Sequence, residues 1–227
     1  MYDDWYDDVS DAEATTAFVD GFGPNQHLLE LGVGTGRLSK AISNAGHNVV
    51  GVDASTAMLD RFRSTDSSWG LGGDMAALPV RDGAFDTVLV ATNTLFNLHT
   101  TTGQRSCLSE SRRALRLGGR LIVEAMIPAE PDPSIDRLVT TKSIDLETVV
   151  LTATIRDVAN QQITGQHIEI TENGIRMRPW KIRYLSLPEL DEMAASVGLR
   201  LGQRSDGWTD APVTESSSNA VSVYVAI

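Results

Sequence analysis

Short apolar runs alternate with helical patterns over the first 125 residues of the chain. One apolar run begins at His27 and leads into a glycine-rich turn, after which Leu38 and Ile42 share one helical face. A second run ends at Asp53, and a later run over residues 85–91, the predicted fourth strand, is almost continuously apolar, as in a strand covered on both faces. This alternation predicts right-handed crossovers and a mostly parallel sheet.

The segment that follows residues 85–91 predicts one more helix and one more strand. Cys107, Leu108 and Leu115 lie on one stripe at helical spacing. The pair Gly118-Gly119 is expected to end this helix, because glycine is the commonest residue just beyond a helix C-terminus. Residues 120–125 then form the next strand of the predicted sheet.

The helical period disappears between about residues 138 and 184. Apolar residues alternate there with threonines and other polar residues, as in Val149, Leu151, Ala153 and Ile155. This region predicts an antiparallel β meander inserted into the α/β order. Because an isolated small sheet is only marginally stable, one of its faces is expected to pack on the domain or on a second subunit.

A last helix and two closing strands complete the predicted domain. Ser186 and Glu189 have the spacing of a capping box, which opens a helix. Residues 199–203 and 220–227 are the closing strands. The pattern therefore predicts a single α/β domain over residues 1–227, with an inserted antiparallel segment at 138–184.

Composition and charge exclude several classes of function. The chain has 227 residues, with 30 acidic and 19 basic side chains, and its formal net charge is −11. Such a chain repels phosphate backbones, so we expect no nucleic-acid partner. It lacks the run of about 18 apolar residues that a membrane span needs, and its acidic, aromatic start is unlike a secretory signal, so a cytoplasmic location is expected. A lone cysteine excludes an internal disulfide, and no acid–histidine cluster has metal-ligand spacing, so no metal is expected.

The segment from Glu30 to Gly36, with the sequence Glu-Leu-Gly-Val-Gly-Thr-Gly, carries the sharpest chemical signal. Its glycines allow a tight turn and a close approach of the backbone to a ligand, and the helix that follows offers unpaired N–H donors. The spacing is neither that of the dinucleotide fingerprint nor that of a P-loop. A nicotinamide cofactor or a nucleoside triphosphate is therefore disfavoured.

Two carboxylates follow later strands of the predicted sheet. Asp53 ends the second strand, where it could accept hydrogen bonds from both hydroxyls of a ribose or could simply cap the next helix. Asp74 follows the third strand, where it could accept the amine of an adenine ring while Met75 packs on the ring face. The alternative for Asp74 is a solvated turn.

Five segments in order resemble the motifs of class I S-adenosylmethionine-dependent methyltransferases. They are Glu30 to Gly36, Val52-Asp53-Ala54-Ser55, Gly73-Asp74-Met75, residues 85–89 and residues 117–121. The resemblance implies a Rossmann-like, mostly parallel seven-stranded sheet whose last strand is antiparallel. It also implies S-adenosylmethionine as the cofactor, with the methionine part on Gly32, Gly34 and Gly36 and near Glu30. Asp53 and Ala54 would then lie at the ribose, and Asp74 and Met75 at the adenine.

The stretch after the fourth strand is similar to that of small-molecule N-methyltransferases that act on glycine or on amino sugars. Thr92 would contact the cofactor there, while Asn93 and Asn97 could orient a nucleophile or merely cap the strand and form a turn. His99 is the histidine nearest this stretch, and it is either the candidate base or an exposed loop histidine. The stretch lacks the motif of enzymes that methylate adenine or glutamine nitrogen.

Two further segments complete the predicted site. The aromatic, acidic start of the chain, with Tyr6, is either a frayed tail or a flap across the cofactor, since aromatic faces and carboxylates suit a sulfonium cation. Trp180 and Tyr184 lie where the insert returns to the domain, and either they line the acceptor pocket or they are core aromatics. We expect Tyr184 to contribute to turnover, and the insert to cover the pocket and to form a homodimer contact.

The sequence therefore predicts transfer of a methyl group by in-line displacement to a small-molecule acceptor. Nitrogen is favoured because a neutral amine needs little more than positioning and dehydration, whereas a hydroxyl needs a stronger base than the sequence offers. Two alternatives stay open at this point. They are an O-methyltransferase of secondary metabolism and a non-catalytic module that binds the cofactor.

Overall fold

A seven-stranded sheet forms the framework of the protein, in the order β3-β2-β1-β4-β5-β11-β10. The computed structural model describes residues 12–65, 69–129 and 137–227. β1 to β5 are all parallel, and β11 runs antiparallel to both β5 and β10, as the resemblance implies. The strands are β1 (His27–Leu31), β2 (Asn48–Asp53), β3 (Trp69–Gly72), β4 (Phe85–Val90), β5 (Leu115–Met126), β10 (Leu199–Asp206) and β11 (Asn219–Ala226).

Helices flank the sheet on the described part of the chain. They are α1 (Ala12–Asp20), α2 (Arg37–Asn44), α3 (Thr56–Thr65), α4 (Thr101–Ala114) and α5 (Leu187–Ala195), and a short 3-10 helix (Thr94–Asn97) follows β4. The predicted capping box opens α5, since the Ser186 hydroxyl accepts from the Glu189 N–H and the Glu189 carboxylate accepts from the Ser186 N–H. None of the helices in the described ranges is long and apolar enough to span a membrane.

The apolar core lies on both faces of the sheet. All six residues of β4 are buried. Successive residues of β1 point to opposite faces, so that Leu28 belongs to one buried cluster and Leu29 to the other. This burial on both faces explains why the central strands read as nearly continuous apolar runs.

The end of α4 differs from the expectation drawn from the sequence. The helix ends at Ala114, and Leu115 already belongs to β5, which includes both Gly118 and Gly119. Gly118 has a φ of 74° and turns the chain inside the strand, and a Cβ on Gly119 would lie 3.0 Å from the Asp86 carbonyl oxygen. The two glycines therefore bend β5 against β4 and do not end the helix.

The inserted segment folds as a separate four-stranded antiparallel sheet, which we call the added sheet. Its strands are β6 (Arg137–Ile144), β7 (Thr148–Asp157), β8 (Gln162–Thr171) and β9 (Gly174–Arg183), in the order β6-β7-β8-β9. The meander expected for residues 138–184 is thus confirmed, with bounds shifted by one residue at each end.

The edge strand β9 is fastened to the region around the 3-10 helix by side chains. His99 Nε2 lies 2.9 Å from the Lys181 carbonyl oxygen, and Gln104 Nε2 donates to the Arg183 carbonyl oxygen at 2.7 Å. The Arg183 guanidinium donates in return to Gln104 Oε1, also at 2.7 Å. These bonds pair the carbonyl groups that an edge strand would otherwise expose, and they fix the added sheet on the domain.

The packing of the glycine loop gives a prediction for stability. Gly36 and Gly46 have φ values of 88° and 98°, but a Cβ on Gly36 would lie 2.1 Å from the ring of buried Phe62, whereas Gly46 faces open space. Gly46→Ala should cost about 1–2 kcal/mol from the left-handed backbone alone. Gly36→Ala should cost about 1–3 kcal/mol more, because it also overpacks the core. Urea unfolding of the two variants measures both values, and equal losses would show that Phe62 moves aside at no cost.

Candidate functional site

A cavity of about 690 Å³ opens at the carboxyl edge of the seven-stranded sheet. The chain turns in opposite directions from β1 and β4, which are neighbours, and such a switch point is where open α/β sheets bind ligands. The volume is within the range of about 300–1,000 Å³ that is typical of small-molecule sites. Residues that follow β1, β2, β3 and β4 form one side of the cavity, and His167, Trp180 and Ile182 of the added sheet also line it.

Most of the site residues expected from the sequence lie together in this cavity. Gly36 is not among the described lining residues, because Phe62 fills the space beside it, and Tyr6 lies outside the described residues. The expected residues that do line the cavity are Glu30, Gly32, Gly34, Asp53, Ala54, Asp74, Met75, Thr92, Asn93 and Asn97.

The glycine loop is folded back against the end of β2. The N–H groups of Gly32 and Val33 both donate to the Val52 carbonyl oxygen, at 2.8 and 3.1 Å. A Cβ on Gly32 would lie 2.5 Å from the Thr94 side chain, whereas Gly34 has no atom within 4 Å of its Cβ position. Gly32 is therefore needed for packing, and the backbone at Gly34 leaves room for a ligand.

Asp53 ties this loop to the start of α3. Its Oδ2 accepts from the Gly34 N–H at 2.8 Å, and its Oδ1 accepts from the Ser55 N–H, also at 2.8 Å. A carboxylate has about four lone-pair directions, so two of them stay available for further donors. The cap of α3 is the Ser55 hydroxyl, which accepts from the Met58 N–H, and Asp53 holds that residue in place. The position of Asp53 in the cavity wall also suits the hydroxyls of a ribose.

Glu30 is a buried carboxyl group at the start of the loop, with only 4% of its surface exposed. Its Oε2 accepts from the Ser39 hydroxyl at 2.5 Å. Burial raises the pKa of Glu30 to about 7, and the nearby Asp53 adds to the rise, although Ser39 and Arg37 oppose it. Glu30 therefore gains or loses its charge near neutral pH, within a cavity wall.

Hydrogen bonds to β5 hold the turn after β4 in a left-handed conformation. Thr92 and Asn93 have φ values of 53° and 59°, which are uncommon for residues other than glycine. The Thr92 N–H donates to Glu124 Oε2 at 2.7 Å, and Asn93 Oδ1 accepts from the Met126 N–H at 2.6 Å. β5 thus fixes this turn through Glu124, a buried side chain whose role the sequence analysis missed. The signal was a lone carboxylate in the apolar run that ends β5.

The remaining polar residues of this wall are more exposed. Asp74 is exposed, and its Oδ1 accepts from the Ala76 N–H at 2.8 Å, while Met75 is half-buried against the core. Asn97 ends the 3-10 helix with an exposed side chain at the cavity wall.

The structure does not bring His99 or Tyr184 to the described cavity wall, contrary to their expected places there. A carbonyl oxygen only accepts hydrogen bonds, so His99 Nε2 carries a proton and donates a hydrogen bond to the Lys181 carbonyl oxygen. Tyr184 follows the last residue of β9 and is 5% exposed in the main core cluster, where its hydroxyl accepts from Arg156 Nε at 3.2 Å. Both side chains hold the added sheet and its ends in place.

His167 and Trp180 form the wall on the added sheet. His167 Nδ1 lies 3.0 Å from the Thr152 hydroxyl, and its ring is 5.7 Å from the Trp180 ring at an angle of 33°. A Cβ on Gly165 would lie 2.2 Å from the Trp180 ring, so only glycine leaves room for it. Burial lowers the pKa of His167, and the positive charges of Lys142 and Arg178 lower it further. The sequence analysis gave His167 no role, because its neighbours lie on other strands.

Comparison with known proteins places the chain in a known family. The profile of a methyltransferase domain matches residues 29–123. The solved structure of the CcbJ methyltransferase from Streptomyces caelestis is 32% identical and superposes with a TM-score of 0.90, over 96% of this chain and 95% of that one.

Two curated relatives cover different shares of the chain. The demethylmenaquinone methyltransferase of Renibacterium salmoninarum is 35% identical over 109 residues, which are 46% of this chain and 44% of that protein. The chain thus matches less than half the length of that relative. The cypemycin N-terminal methyltransferase of a Streptomyces species is 27% identical over 92% of this chain and 87% of that protein.

The buried carboxyl group of Glu30 gives a prediction with two opposite effects. The pKa of Glu30 is about 7 in the folded chain against 4.5 for an ordinary glutamate side chain, so its contribution to stability is full below about pH 4.5 and is lost as the pH rises through about 7. Glu30→Gln should therefore raise the melting temperature at pH 8 and change it little at pH 5.

The same variant should bind S-adenosylhomocysteine more weakly, because the charge next to the expected amine of the ligand is gone. Calorimetry at pH 8 measures this loss, and wild-type affinity should fall in parallel as the pH is lowered through 7. A variant that is both less stable at pH 8 and unchanged in affinity would contradict the assignment of Glu30.

Proposed function

Because this chain belongs to the class I S-adenosylmethionine-dependent methyltransferases, we propose that it transfers a methyl group to a nitrogen atom of a small molecule. One observation carries the proposal. One wall of the cavity consists of carboxylates and glycine backbone, which suit the cofactor. The opposite wall comes from the added sheet and carries the aromatic ring of Trp180 and the imidazole of His167.

The residues of the first wall fit S-adenosylmethionine. The backbone at Gly34 is open to the cavity, so that the ligand can approach it closely. Asp53 would accept from the ribose hydroxyls, Glu30 from the amine of the methionine part, and Asp74 from the adenine amine. Arg37, at the start of α2, would pair with the carboxylate of the methionine part. Ala54, Met75 and Thr92 would complete the contact surface.

The chain's own task in the reaction is to position and dehydrate the reactants. The bound cofactor supplies an already activated methyl group on a sulfonium ion. Asn93 is held by Met126, and the neighbouring Asn97 can orient the acceptor with its amide. Trp180 and Ile182 exclude water from the acceptor side. These are the conditions for an in-line displacement, in which correct alignment accounts for most of the rate.

Nitrogen is the favoured acceptor atom for two reasons. An amine that has lost its proton is a sufficient nucleophile, whereas a hydroxyl needs a strong base. The described carboxylates of the wall, Glu30, Asp53 and Asp74, are assigned to the cofactor. The relative that matches 92% of this chain is named for methyl transfer at the N-terminus of cypemycin. The family profile ends at residue 123, before the added sheet, so the acceptor itself is inferred from the cavity alone.

Methyl transfer from isotopically labelled S-adenosylmethionine to matched pairs of acceptors tests the proposal. The pairs are glycine and glycolate, glucosamine and glucose, and a short peptide with a free or an acetylated N-terminus. We expect label in one or more of the amines and in none of their partners, because only the amines offer a basic nitrogen. Label in a hydroxyl partner would show an O-methyltransferase. Tight cofactor binding without label in any acceptor, including a metabolite extract, would show a binding module.

We also propose that the outer face of the added sheet joins two copies of the chain. This face lies opposite the one that lines the cavity, and its apolar side chains Val139, Ile155, Ile170, Ile175 and Met177 are between 38% and 66% exposed. A second copy is the partner that this largely uncharged face suits, since the chain as a whole carries a charge of −11 and repels its like elsewhere.

Light scattering on wild type and on the double variant Ile175→Glu with Met177→Lys measures this contact. We expect a dimer for the wild type and a folded monomer for the variant, because charges would be buried in the interface. A matched variant on the exposed edge strand β3, Trp69→Lys, should stay dimeric. A monomeric wild type at high micromolar concentration would contradict the proposal.

A further inference from the structure

The loop between β3 and β4, over residues 73–84, carries two residues of the cavity wall at its start. They are Asp74 and Met75, which lie where the adenine of the cofactor is proposed to bind. The residues of this loop, all of which the structure describes, belong to no α-helix and to neither sheet. The conformation of the loop therefore depends on its contacts with neighbouring elements, because a chain without its own regular structure has many alternatives.

Arg113 on α4 binds the backbone of this loop. Its Nη2 donates to the Leu78 carbonyl oxygen at 2.9 Å, and its Nη1 donates to the Val80 carbonyl oxygen at 2.8 Å. Nη1 also donates to Asp82 Oδ1 at 2.7 Å. The planar guanidinium thus holds three acceptors of the loop at once, which the compact ammonium of a lysine would not reproduce.

Glu110, which lies one helical turn before Arg113, completes the attachment. Its Oε2 accepts from the Leu78 N–H at 2.8 Å, and its two oxygens accept from Arg113 Nε at 3.0 Å and from Nη2 at 2.7 Å. The hydrogen bond from Arg113 lowers the pKa of Glu110, and the Leu78 N–H lowers it further, although burial opposes both. The carboxylate and the guanidinium together, which we call the loop clamp, therefore hold both backbone groups of Leu78.

A short turn connects the loop clamp to Asp74. The Ala77 N–H donates to the Asp74 carbonyl oxygen at 2.9 Å, and Asp74 Oδ1 accepts from the Ala76 N–H at 2.8 Å. A Cβ on Gly73 would lie only 2.8 Å from the ring of Pro79, so the start of the loop packs against the segment that the clamp holds. A shift at the clamp would therefore move the Asp74 carboxylate.

We propose that Glu110 and Arg113 are positioning residues that set the recognition of adenine, because they align the Asp74 carboxylate with the exocyclic amine of the cofactor. This inference rests on the proposed function, in which Asp74 accepts from that amine. A binding contact is productive only when its groups are held within about 0.5 Å of the required geometry. Neither Glu110 nor Arg113 is among the described residues that line the cavity, so their effect passes through the loop.

Calorimetry with S-adenosylhomocysteine and S-inosylhomocysteine tests the inference without an acceptor. The second ligand has a carbonyl oxygen where the first has the adenine amine, so it cannot donate to a carboxylate there. We expect the wild type to bind the adenosyl ligand at least about tenfold more tightly, as for a hydrogen bond to a charged group. Arg113→Met and Glu110→Ala should each lower this preference to about twofold or less, mainly through weaker binding of the adenosyl ligand.

A matched variant on the same helix separates positioning from general stability. Arg112 is also half-buried and also donates to a backbone carbonyl group, from its Nε to Gly198 at 3.2 Å, but it holds a part of the chain outside the described cavity wall. Arg112→Met should therefore keep the wild-type preference. Arg113→Lys, which keeps the charge without the planar fork, should lose part of the preference and decides the question if Arg113→Met does not fold.

A double-variant cycle tests whether the clamp acts through Asp74. Asp74→Ala should remove the preference by itself, and Arg113→Met added to it should cause no further loss, because both changes affect one contact. Additive losses would overturn the inference, and so would a wild-type preference that persists in Arg113→Met or, where that variant does not fold, in Arg113→Lys. That result, with the preference lost in Asp74→Ala, would leave the proposed function standing. A wild type that binds both ligands equally would instead refute the proposed contact of Asp74, and the inference with it.

Discussion

The Asp53 carboxylate holds together the two loops that build the side of the cavity proposed for the cofactor. One oxygen accepts from Gly34 in the glycine loop and the other from Ser55 at the start of α3, so the ends of β1 and β2 are tied at one point. Hydrogen bonds to a carboxylate are stronger than those between neutral groups. The left-handed backbone of Gly32 and Gly34 costs little for glycine, and the carboxylate then fixes a conformation that the loop alone would not keep.

Buried carboxylates recur at this edge of the sheet, and each serves the site at some cost to the fold. Glu30 is bonded to Ser39 within the glycine-loop wall, and Glu124 holds both the Thr92 N–H and the Asn219 side chain. Burying a carboxyl group is unfavourable unless donors compensate it, and each of these groups has such donors. The left-handed Thr92 and Asn93 add strain of the kind that concentrates at functional sites. The rest of the core, apolar on both faces of the sheet, supplies the stability that tolerates these groups.

The sequence predicted the mostly parallel sheet and most residues of the glycine-loop wall because each depends on local information, and the family resemblance implied the antiparallel last strand. Asp53 is the last residue of β2, Asp74 and Asn93 come shortly after β3 and β4, and parallel strands bring their carboxyl ends to one edge. His167 could not be predicted in this way, since its place depends on pairing with Thr152 and Trp180 across three strands. Tyr184 was misplaced for the same reason. Tyr184 is four residues after Trp180, so both would point to the same face if the strand continued. However, β9 ends at Arg183, and the tyrosine turns into the core instead of the cavity.

The two sides of the cavity are separate in sequence and are joined by a few specific contacts. The glycine loop and the strand ends lie within residues 30–98, whereas the aromatic wall comes from residues 167–182. His99 and Gln104 bind carbonyl groups of β9, so the loop after β4 carries both the cavity residue Asn97 and the fastening of the opposite wall. Substitutions on the inner face of the added sheet can therefore change the shape of the acceptor side while Asp53 and its partners stay as they are. Changes at His99 or Gln104 would instead alter the distance between the two walls, and alignment over that distance is the condition on which displacement depends.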